Sequence, residues 1–81
     1  MITVYVLKGI KRYVGITNDL NRRVKEHKRK SSKGSQNIGE FHVIYSREFP
    51  DYNSAREHEK FLKSGVGRAQ LDKLEEVQSQ P

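Results

Sequence analysis

The chain has 81 residues with no cysteine and no tryptophan, and its 16 Lys and Arg against 10 Asp and Glu give a net charge of +6. This length allows one small domain over residues 1–81, without an internal pocket for an organic cofactor. The absence of cysteine excludes disulfide frameworks, thiolate metal sites and cysteine nucleophiles. Because no apolar run could span a membrane and no signal-peptide pattern is present, we expect a cytoplasmic protein with no membrane partner.

Positive charge is concentrated in the first part of the sequence. Residues 1–33 carry ten basic and two acidic residues, whereas residues 34–81 have a net charge of −2. Such an asymmetric basic surface attracts polyanions, of which nucleic acid is the commonest in a cell. The alternative is a solvated face that only keeps the protein soluble, and charge alone favours neither.

The first elements in chain order form a predicted β-hairpin followed by a helix. β-Branched and aromatic residues fill positions 2–7 and 13–17, and the segment between them contains Gly9. Capping side chains at Thr17-Asn18-Asp19 precede a run of helix formers, so a helix is predicted from about residue 19 to residue 30.

A loop and a third strand follow the first helix. Residues 31–40 are rich in Ser, Gly, Lys and Asn without a period, which is typical of a loop. Residues 41–49 are predicted to form a strand that ends at Pro50. Its alternation places three residues on one face: Phe41, Val43 and Tyr45.

Two further helices complete the predicted order. Asn53 or Ser54 is expected to cap a second helix that ends near Ser64. A short third helix is predicted at about 68–77, and residues 76–81 are expected to be a frayed tail. The order β-β-α-β-α-α predicts an α+β fold, in which helices cover a three-stranded antiparallel sheet.

Two predicted helices carry ionisable residues on the side that should face the core. At about 100° per residue, Arg23 and His27 fall on the same side of the first helix as Leu20. The same spacing in the second helix puts Glu59 beside Ala55. An inward arginine and an inward glutamate could pair with each other, so a structural salt bridge is the alternative to a functional site.

Two tyrosines, Tyr5 and Tyr13, lie at the centres of the hairpin strands. They share a face of the sheet if the connecting loop has an odd number of residues or contains a bulge. Aromatic packing in the core is the ordinary role of a strand tyrosine. Together with Arg23, His27 and Glu59, however, the two phenols would form a polar cluster where the sheet meets the helices.

These residues resemble the motifs of the GIY-YIG nucleases, also called the URI domain. Thr3-Val4-Tyr5 is similar to the first tyrosine motif of that family, and Tyr13-Val14-Gly15 is similar to the second. Residues 15–27 resemble the pattern G-I-T-x-D-L-x-x-R-x-x-x-H, and residues 55–65 resemble A-x-x-x-E-x-x-L-K-S-G. The resemblance covers about residues 3–75 and indicates a small stand-alone member of bacterial or phage type.

The resemblance implies a catalytic set made of Tyr5, Tyr13, Arg23, His27 and Glu59. Glu59 would hold a single Mg²⁺ or Mn²⁺ ion, since such ions take one or two carboxylates together with water and phosphate oxygens. Arg23 would bind the nonbridging oxygens of the scissile phosphate. Tyr5 is implied as the proton acceptor and Tyr13 as the group that orients water or phosphate. Because a phenol with a pKa of about 10 is a poor base, the choice among Tyr5, Tyr13 and His27 stays open.

We therefore expect a metal-dependent endonuclease that hydrolyses DNA phosphodiester bonds, by nicking or at branched or damaged structures. The alternative is a nucleic-acid-binding module of the same fold with weak catalysis or none. We expect either protein to be a monomer or a weak dimer. Basic side chains would hold the backbone without reading its sequence. They are Lys8, Lys11, Arg12, Arg22, Lys25, Lys28, Arg29, Lys30 and Lys33.

Overall fold

The computed structural model describes residues 1–29 and 41–79. Within these residues there are three strands and three helices. In chain order they are β1 (Ile2–Lys8), β2 (Arg12–Thr17), α1 (Leu20–Lys28), β3 (His42–Phe49), α2 (Tyr52–Lys63) and α3 (Gly65–Ser79). The three strands form one antiparallel sheet. The predicted order and the α+β class are therefore confirmed, whereas the predicted loop at 31–40 lies outside the described residues.

β1 is the central strand of the sheet, and its neighbours give the order β2-β1-β3. A central strand that is covered on both faces needs apolar side chains on both, and four consecutive residues, Val4 to Leu7, have no exposed surface. Three residues, 9–11, connect β1 to β2, and Tyr13 pairs with Leu7. Since residues that pair directly share a face, Tyr13 lies on the same face as Leu7 and Tyr5.

Each face of the sheet carries its own core. On the face that we call the α2 face, the buried residues are Ile2, Val4, Val6, Ile44, Ala55, Leu62 and Leu71. On the opposite face, the α1 face, Tyr5 and Leu7 pack with Tyr13, Leu20 and Phe41. The sheet is thus a middle layer with α2 and α3 on one side and α1 on the other.

A bulge in β3 changes the faces predicted for its side chains. Val43 pairs with Leu7, whereas Tyr45 pairs with Val6, and the register shifts between these two pairs. The prediction that Phe41, Val43 and Tyr45 share a face was therefore wrong. Phe41 packs into the α1-face core, and Tyr45 packs against the α2-face core. The physical reason is that one extra residue in a strand reverses the alternation beyond it.

Each of the helices α1 and α2 begins after an aspartate whose carboxylate caps its N-terminus. The Asp19 side chain accepts a hydrogen bond from the backbone N–H of Arg22 at 3.1 Å, which confirms the predicted start of α1. α2 is capped by Asp51 and not by Asn53 or Ser54, because Asp51 Oδ1 accepts from the Ser54 N–H at 2.8 Å. Hydrogen bonds from the backbone N–H and the side chain of Ser54 also lower the pKa of Asp51.

Three helix ends differ from the prediction. α1 ends at Lys28, before the predicted residue 30. α3 begins at Gly65 instead of residue 68 and continues to Ser79, so most of the expected tail is helical. Residues 80–81 lie outside the described part of the chain. None of the described helices is both long enough and apolar enough to cross a membrane.

α2 and α3 meet with almost no connection, and Gly67 makes this possible. A Cβ atom on Gly67 would overlap the Phe61 carbonyl oxygen and would lie 2.5 Å from Leu62 Cα. These neighbours are backbone atoms, which cannot rotate away. The first turn of α3 therefore packs directly on the last turn of α2, and this contact positions the α3 side chains.

We expect Gly67→Ala to lower the free energy of unfolding by about 1–3 kcal/mol, because overpacking against backbone forces the helices apart. Chemical denaturation measures the change. Gly65→Ala is the matched control on the same turn, since nothing lies within 4 Å of its Cβ position. Equal unfolding free energies for the two variants would contradict the close packing at Gly67.

Candidate active site

Four of the five predicted catalytic residues come together on the α1 face. The hydroxyl oxygen of Tyr5 lies 2.8 Å from His27 Nε2, and Arg23 Nε donates a hydrogen bond to that oxygen at 3.4 Å. The ring centre of Tyr13 lies 6.2 Å from that of Tyr5 and 4.9 Å from that of His27. The fold thus gathers two phenols, a guanidinium and an imidazole from β1, β2 and α1.

The regular spacing of side chains along the strands and along α1 produces this arrangement. Tyr5 and Tyr13 share a face because of the hairpin register. Arg23 and His27 are four residues apart, so they lie one above the other on the side of α1 that faces the sheet. Their predicted inward orientation is confirmed: His27 is 1% exposed, and the Arg23 side chain is 31% exposed.

Gly15 provides the space for the two tyrosine rings. It pairs with Tyr5 across the sheet. A Cβ atom at this position would lie 2.7 Å from the Tyr5 hydroxyl oxygen and 2.9 Å from Tyr13 Cε1. The Tyr5 ring therefore lies over the β2 backbone, which directs its hydroxyl group toward α1.

The electrostatics of the cluster fix its protonation at neutral pH. Burial raises the pKa of Tyr5 to about 12, although the hydrogen bond from Arg23 acts in the opposite direction. Burial also lowers the pKa of His27, and the charge of Arg23 adds to this effect. Arg23 can only donate, so Tyr5 accepts a hydrogen bond from Arg23. The Tyr5 hydroxyl group donates to His27 Nε2 when the ring proton of His27 is on Nδ1. His27 Nδ1 is buried and has no hydrogen-bond partner among the described residues.

The members of the cluster differ in their access to solvent. Tyr5 has no exposed surface and His27 almost none. Tyr13 and Arg23 are half-buried. A ligand that approaches this face from solvent therefore meets Tyr13 and Arg23 first, with the Tyr5–His27 pair behind them.

Glu59, the fifth predicted residue, does not contact this cluster. Its carboxylate lies 3.3 Å from Lys63 Nζ one turn along α2, and its side chain is 21% exposed. α2 packs on the opposite face of the sheet, where it also contacts the edge strand β2. Arg23 Nη1 instead lies 3.5 Å from Glu26. The alternative of a salt bridge between Arg23 and Glu59 is therefore wrong.

The donors available to a metal ion are few. Within residues 1–29 and 41–79, no group of three or more His, Asp or Glu residues is arranged to hold an ion. The residues therefore do not fit a cage made entirely of protein ligands. They do fit an ion that takes one oxygen from the partly exposed Glu59 carboxylate and completes its shell with water and phosphate oxygens, as Mg²⁺ commonly does.

Two of the predicted backbone-binding residues, Lys8 and Arg12, are engaged within the protein. Arg12 Nη2 donates to Asp72 Oδ1 at 2.7 Å and also to Glu75 Oε2. Lys8 Nζ lies 3.4 Å from Glu75 Oε1. Both cations lie on the α2 face and pair with α3. Sequence reasoning missed these partners, whose signal was two carboxylates three residues apart on one side of a helix.

The remaining predicted backbone-binding residues lie mostly on α1. Arg22 donates to Asn18 Oδ1 at 3.2 Å and lies 3.5 Å from a Glu26 oxygen. Arg22 is exposed, and so are four further cations: Lys11, Lys25, Lys28 and Arg29. Lys30 and Lys33 lie outside the described residues. The outer side of α1 and the hairpin tip thus present the exposed positive charge of this set.

A second tyrosine–histidine pair, which the sequence did not reveal, lies on the α2 face. Tyr45 and His58 are hydrogen bonded at 2.7 Å, and the His58 ring packs near Phe49 and Phe61 at centroid distances of 5.0 and 5.8 Å. The bulge in β3 brings Tyr45 to this face, and the pair packs against the larger core.

We expect Gly15→Ala to displace the Tyr5 ring and to weaken its hydrogen bond with His27, because the new methyl group would overlap both tyrosines. The side-chain nitrogen resonances of His27 in an NMR spectrum report this bond. Gly65→Ala, which adds the same methyl group in open space, should leave them unchanged. Unchanged His27 resonances in a folded Gly15→Ala variant would contradict the close approach.

We expect the buried His27 and the half-buried His58 to make stability depend on pH. Burial lowers the pKa values of His27 and His58 below the ordinary 6.5, so below that pH the unfolded chain binds protons that the folded chain does not. We expect the free energy of unfolding to be highest above about pH 6.5 and to fall as the pH drops toward the folded-state values. Denaturation across about pH 8 to 5 measures the slope.

His27→Gln should reduce that slope, since it removes one of the two groups. His42→Gln, at an exposed position on β3, is the control for the substitution itself. A wild-type stability that stays constant through this pH range would show that the imidazoles take up protons equally in both states.

Comparison with known proteins agrees with this geometry. Residues 1–72 match the GIY-YIG catalytic domain. Among solved structures, the chain is similar to the UPF0213 protein BH0048 from Bacillus halodurans, determined by solution NMR. The two are 31% identical with a TM-score of 0.54, over 91% of this chain and 85% of that chain. A search of curated proteins gave no match. The chain therefore belongs to the GIY-YIG family of nucleases.

Proposed function

We propose that this protein is a metal-dependent endonuclease that hydrolyses DNA phosphodiester bonds, one strand at a time. The observation that carries the proposal is the hydrogen-bonded chain from Arg23 through Tyr5 to His27, with Tyr13 packed beside it. Burying polar groups costs free energy that apolar side chains would not. The presence of these hydrogen-bonded polar groups in so small a core therefore supports a chemical role for them.

Arg23 is the proposed ligand of the scissile phosphate. Its Nε is directed to Tyr5, while its half-exposed side chain leaves further N–H groups for nonbridging oxygens. A guanidinium keeps its charge and binds such oxygens through parallel hydrogen bonds. Charge that develops on the phosphate is then stabilised next to the tyrosine that we assign to proton transfer.

Tyr5 and His27 are proposed to accept the proton of the attacking water as a unit. With a pKa of about 12, Tyr5 is ionised in only roughly one molecule in 100,000 at neutral pH, so a free phenolate is an inefficient base. The hydrogen bond between Tyr5 and His27 supports a proton relay in which no free phenolate has to form first. As the Tyr5 oxygen takes a proton from water, its own proton passes to the neutral His27 Nε2. Tyr13, which is half-buried, would orient the water or the phosphate.

Nucleases of the GIY-YIG family generally use a divalent metal ion, and we propose Glu59 as the ligand of a single Mg²⁺ or Mn²⁺. When bound, such an ion would neutralise charge on the phosphate and on the leaving oxygen. α2 contacts β2, and β2 is an edge of the sheet. A nucleic-acid backbone that lies along this edge would pass Tyr13 on one face of the sheet and Glu59 on the other.

The proposed substrate is DNA, including branched or damaged forms, held through its phosphates. The exposed cations of α1 and the hairpin tip would supply these contacts, which give affinity without base recognition. This favours cleavage directed by structure over cleavage at a defined sequence. A cytoplasmic location and a monomeric or weakly dimeric state belong to the same proposal.

A nucleic-acid-binding module without turnover is the second candidate. Two observations favour it: Tyr5 is completely buried, and Glu59 is already paired with Lys63. Such a module would bind DNA through the same basic surface, with an affinity that falls steeply as salt increases.

We expect the wild-type protein to nick supercoiled plasmid in the presence of Mg²⁺ or Mn²⁺, and Glu59→Gln to reduce the rate by about 100-fold or more, because a proposed metal ligand is lost. Agarose gel electrophoresis of the plasmid forms measures the rate. Glu57→Gln is the matched control, since Glu57 lies on the exposed side of the same helix. It should retain the wild-type rate.

The two candidates predict different outcomes in this assay. If the wild-type protein leaves plasmid, branched and single-stranded DNA intact with either ion, the endonuclease proposal is wrong. If it nonetheless binds DNA, and if Glu59→Gln and Tyr5→Phe bind equally well, the binding module is supported. Equal cleavage by Glu59→Gln and Glu57→Gln would overturn the metal assignment alone.

A further inference from the structure

A basic pocket opens on the α2 face beside the edge strand β2. Its volume is about 430 Å³, and the residues that line it are Arg12, Val14, Leu62, Lys63 and Arg68. Three of the five are cationic, and the two apolar residues belong to the α2-face core or pack against it. None of them belongs to the tyrosine cluster, which lies on the opposite face of the sheet.

The three cations of the pocket differ in how they are engaged. Arg12 is held in place by Asp72 and Glu75, so its position is fixed and its charge is compensated. Lys63 is paired with Glu59. Arg68 is exposed, and no side chain in the described part of the chain pairs with it. The pocket therefore has a fixed wall at Arg12 and an unpaired guanidinium at Arg68.

Lys63 links this pocket to the proposed metal ligand. Lys63 lines the pocket, and its ammonium nitrogen lies 3.3 Å from a carboxylate oxygen of Glu59. Glu59 is therefore at the margin of the pocket, on the same face. An anion that binds Lys63 would compete with Glu59 for the ammonium group and would release the carboxylate from its ion pair.

We propose that this pocket binds a backbone phosphate of the nucleic acid, separate from the phosphate under attack. Arg68 and Lys63 supply charge-assisted hydrogen bonds, and Arg12 forms a preorganised wall. Val14 and Leu62 provide an apolar floor beside the sugar. The identity of the polyanion rests on the proposed function, whereas the binding of phosphate by Arg68 and Lys63 does not.

A binding experiment without metal tests the pocket separately from catalysis. Arg68→Gln and Arg56→Gln each remove one exposed arginine, from α3 and α2 respectively, and only Arg68 lines the pocket. Fluorescence anisotropy of labelled single-stranded and duplex oligonucleotides in EDTA gives the binding constant at several salt concentrations. We expect Arg68→Gln to reduce the slope of log K against log salt by about 1, because one phosphate contact is lost. Arg56→Gln should keep the wild-type slope, and Arg68→Lys should restore it.

NMR locates the bound phosphate. In the wild type, the amide resonances of Val14 and Leu62 should shift on addition of oligonucleotide, and in Arg68→Gln these shifts should be lost. Shifts with inorganic phosphate but none with oligonucleotide would identify a free-phosphate site and overturn the nucleic-acid assignment. Equal salt slopes for Arg68→Gln and Arg56→Gln, with unmoved Val14 and Leu62 resonances, would overturn the pocket altogether.

The outcomes of this experiment and of the cleavage assay are independent. A wild-type protein that cuts no DNA but loses binding through Arg68→Gln would disprove the endonuclease and leave the phosphate pocket intact. A protein that cuts DNA while Arg68→Gln binds as tightly as Arg56→Gln would retain its proposed function and lose the pocket.

Discussion

The hydrogen bond between Tyr5 and His27 joins the central strand of the sheet to α1, and the organisation of the α1 face depends on it. The apolar core on this face consists of few side chains, and the two tyrosine rings are part of it. His27 is as buried as any of them. The groups assigned to chemistry are therefore also the groups that hold α1 against the sheet. A substitution at Tyr5 or His27 would therefore change the packing of this face together with the proposed proton transfer.

The α2 face compensates for this polar core. It carries a continuous apolar core shared by β1, β3, α2 and α3. Gly67 lets α3 pack closely on α2, and Asp72 and Glu75 of α3 then reach Arg12 on β2. Isolated surface ion pairs contribute little, but the Arg12 side chain is only 18% exposed, and two acids share it. The apolar face and this ionic contact together stabilise a sheet whose other face carries buried polar groups.

Periodicity in the sequence predicted the order of elements and the inward orientation of Arg23 and His27. It placed the two tyrosines on one face only if the hairpin loop was odd in length or bulged, and the loop has three residues. It could not predict which side of the sheet each helix covers. A helical wheel indicated that Arg23 and Glu59 both point inward, yet a sheet has two faces, and α1 and α2 pack on different ones. The bulge in β3 left no pattern, because one extra residue is invisible in a short apolar run. The pairing of Arg12 with Asp72 spans 60 residues of sequence, and local spacing carries no information at that range.

The edge strand β2 is where these separate parts meet. Its alternation directs Tyr13 and Gly15 toward the tyrosine cluster, while Arg12 and Val14, their neighbours in the chain, line the basic pocket on the other face. The positive and negative parts of the sequence also meet here, since acids from α3 neutralise Lys8 and Arg12. Exposed cations available to a polyanion include those of α1 on one side of the sheet and Arg68 on the other. Unlike a central strand, an edge strand lets a single extended nucleic-acid backbone contact both faces of the sheet. The proposed phosphate ligands and the proposed metal ligand therefore do not have to lie on the same face.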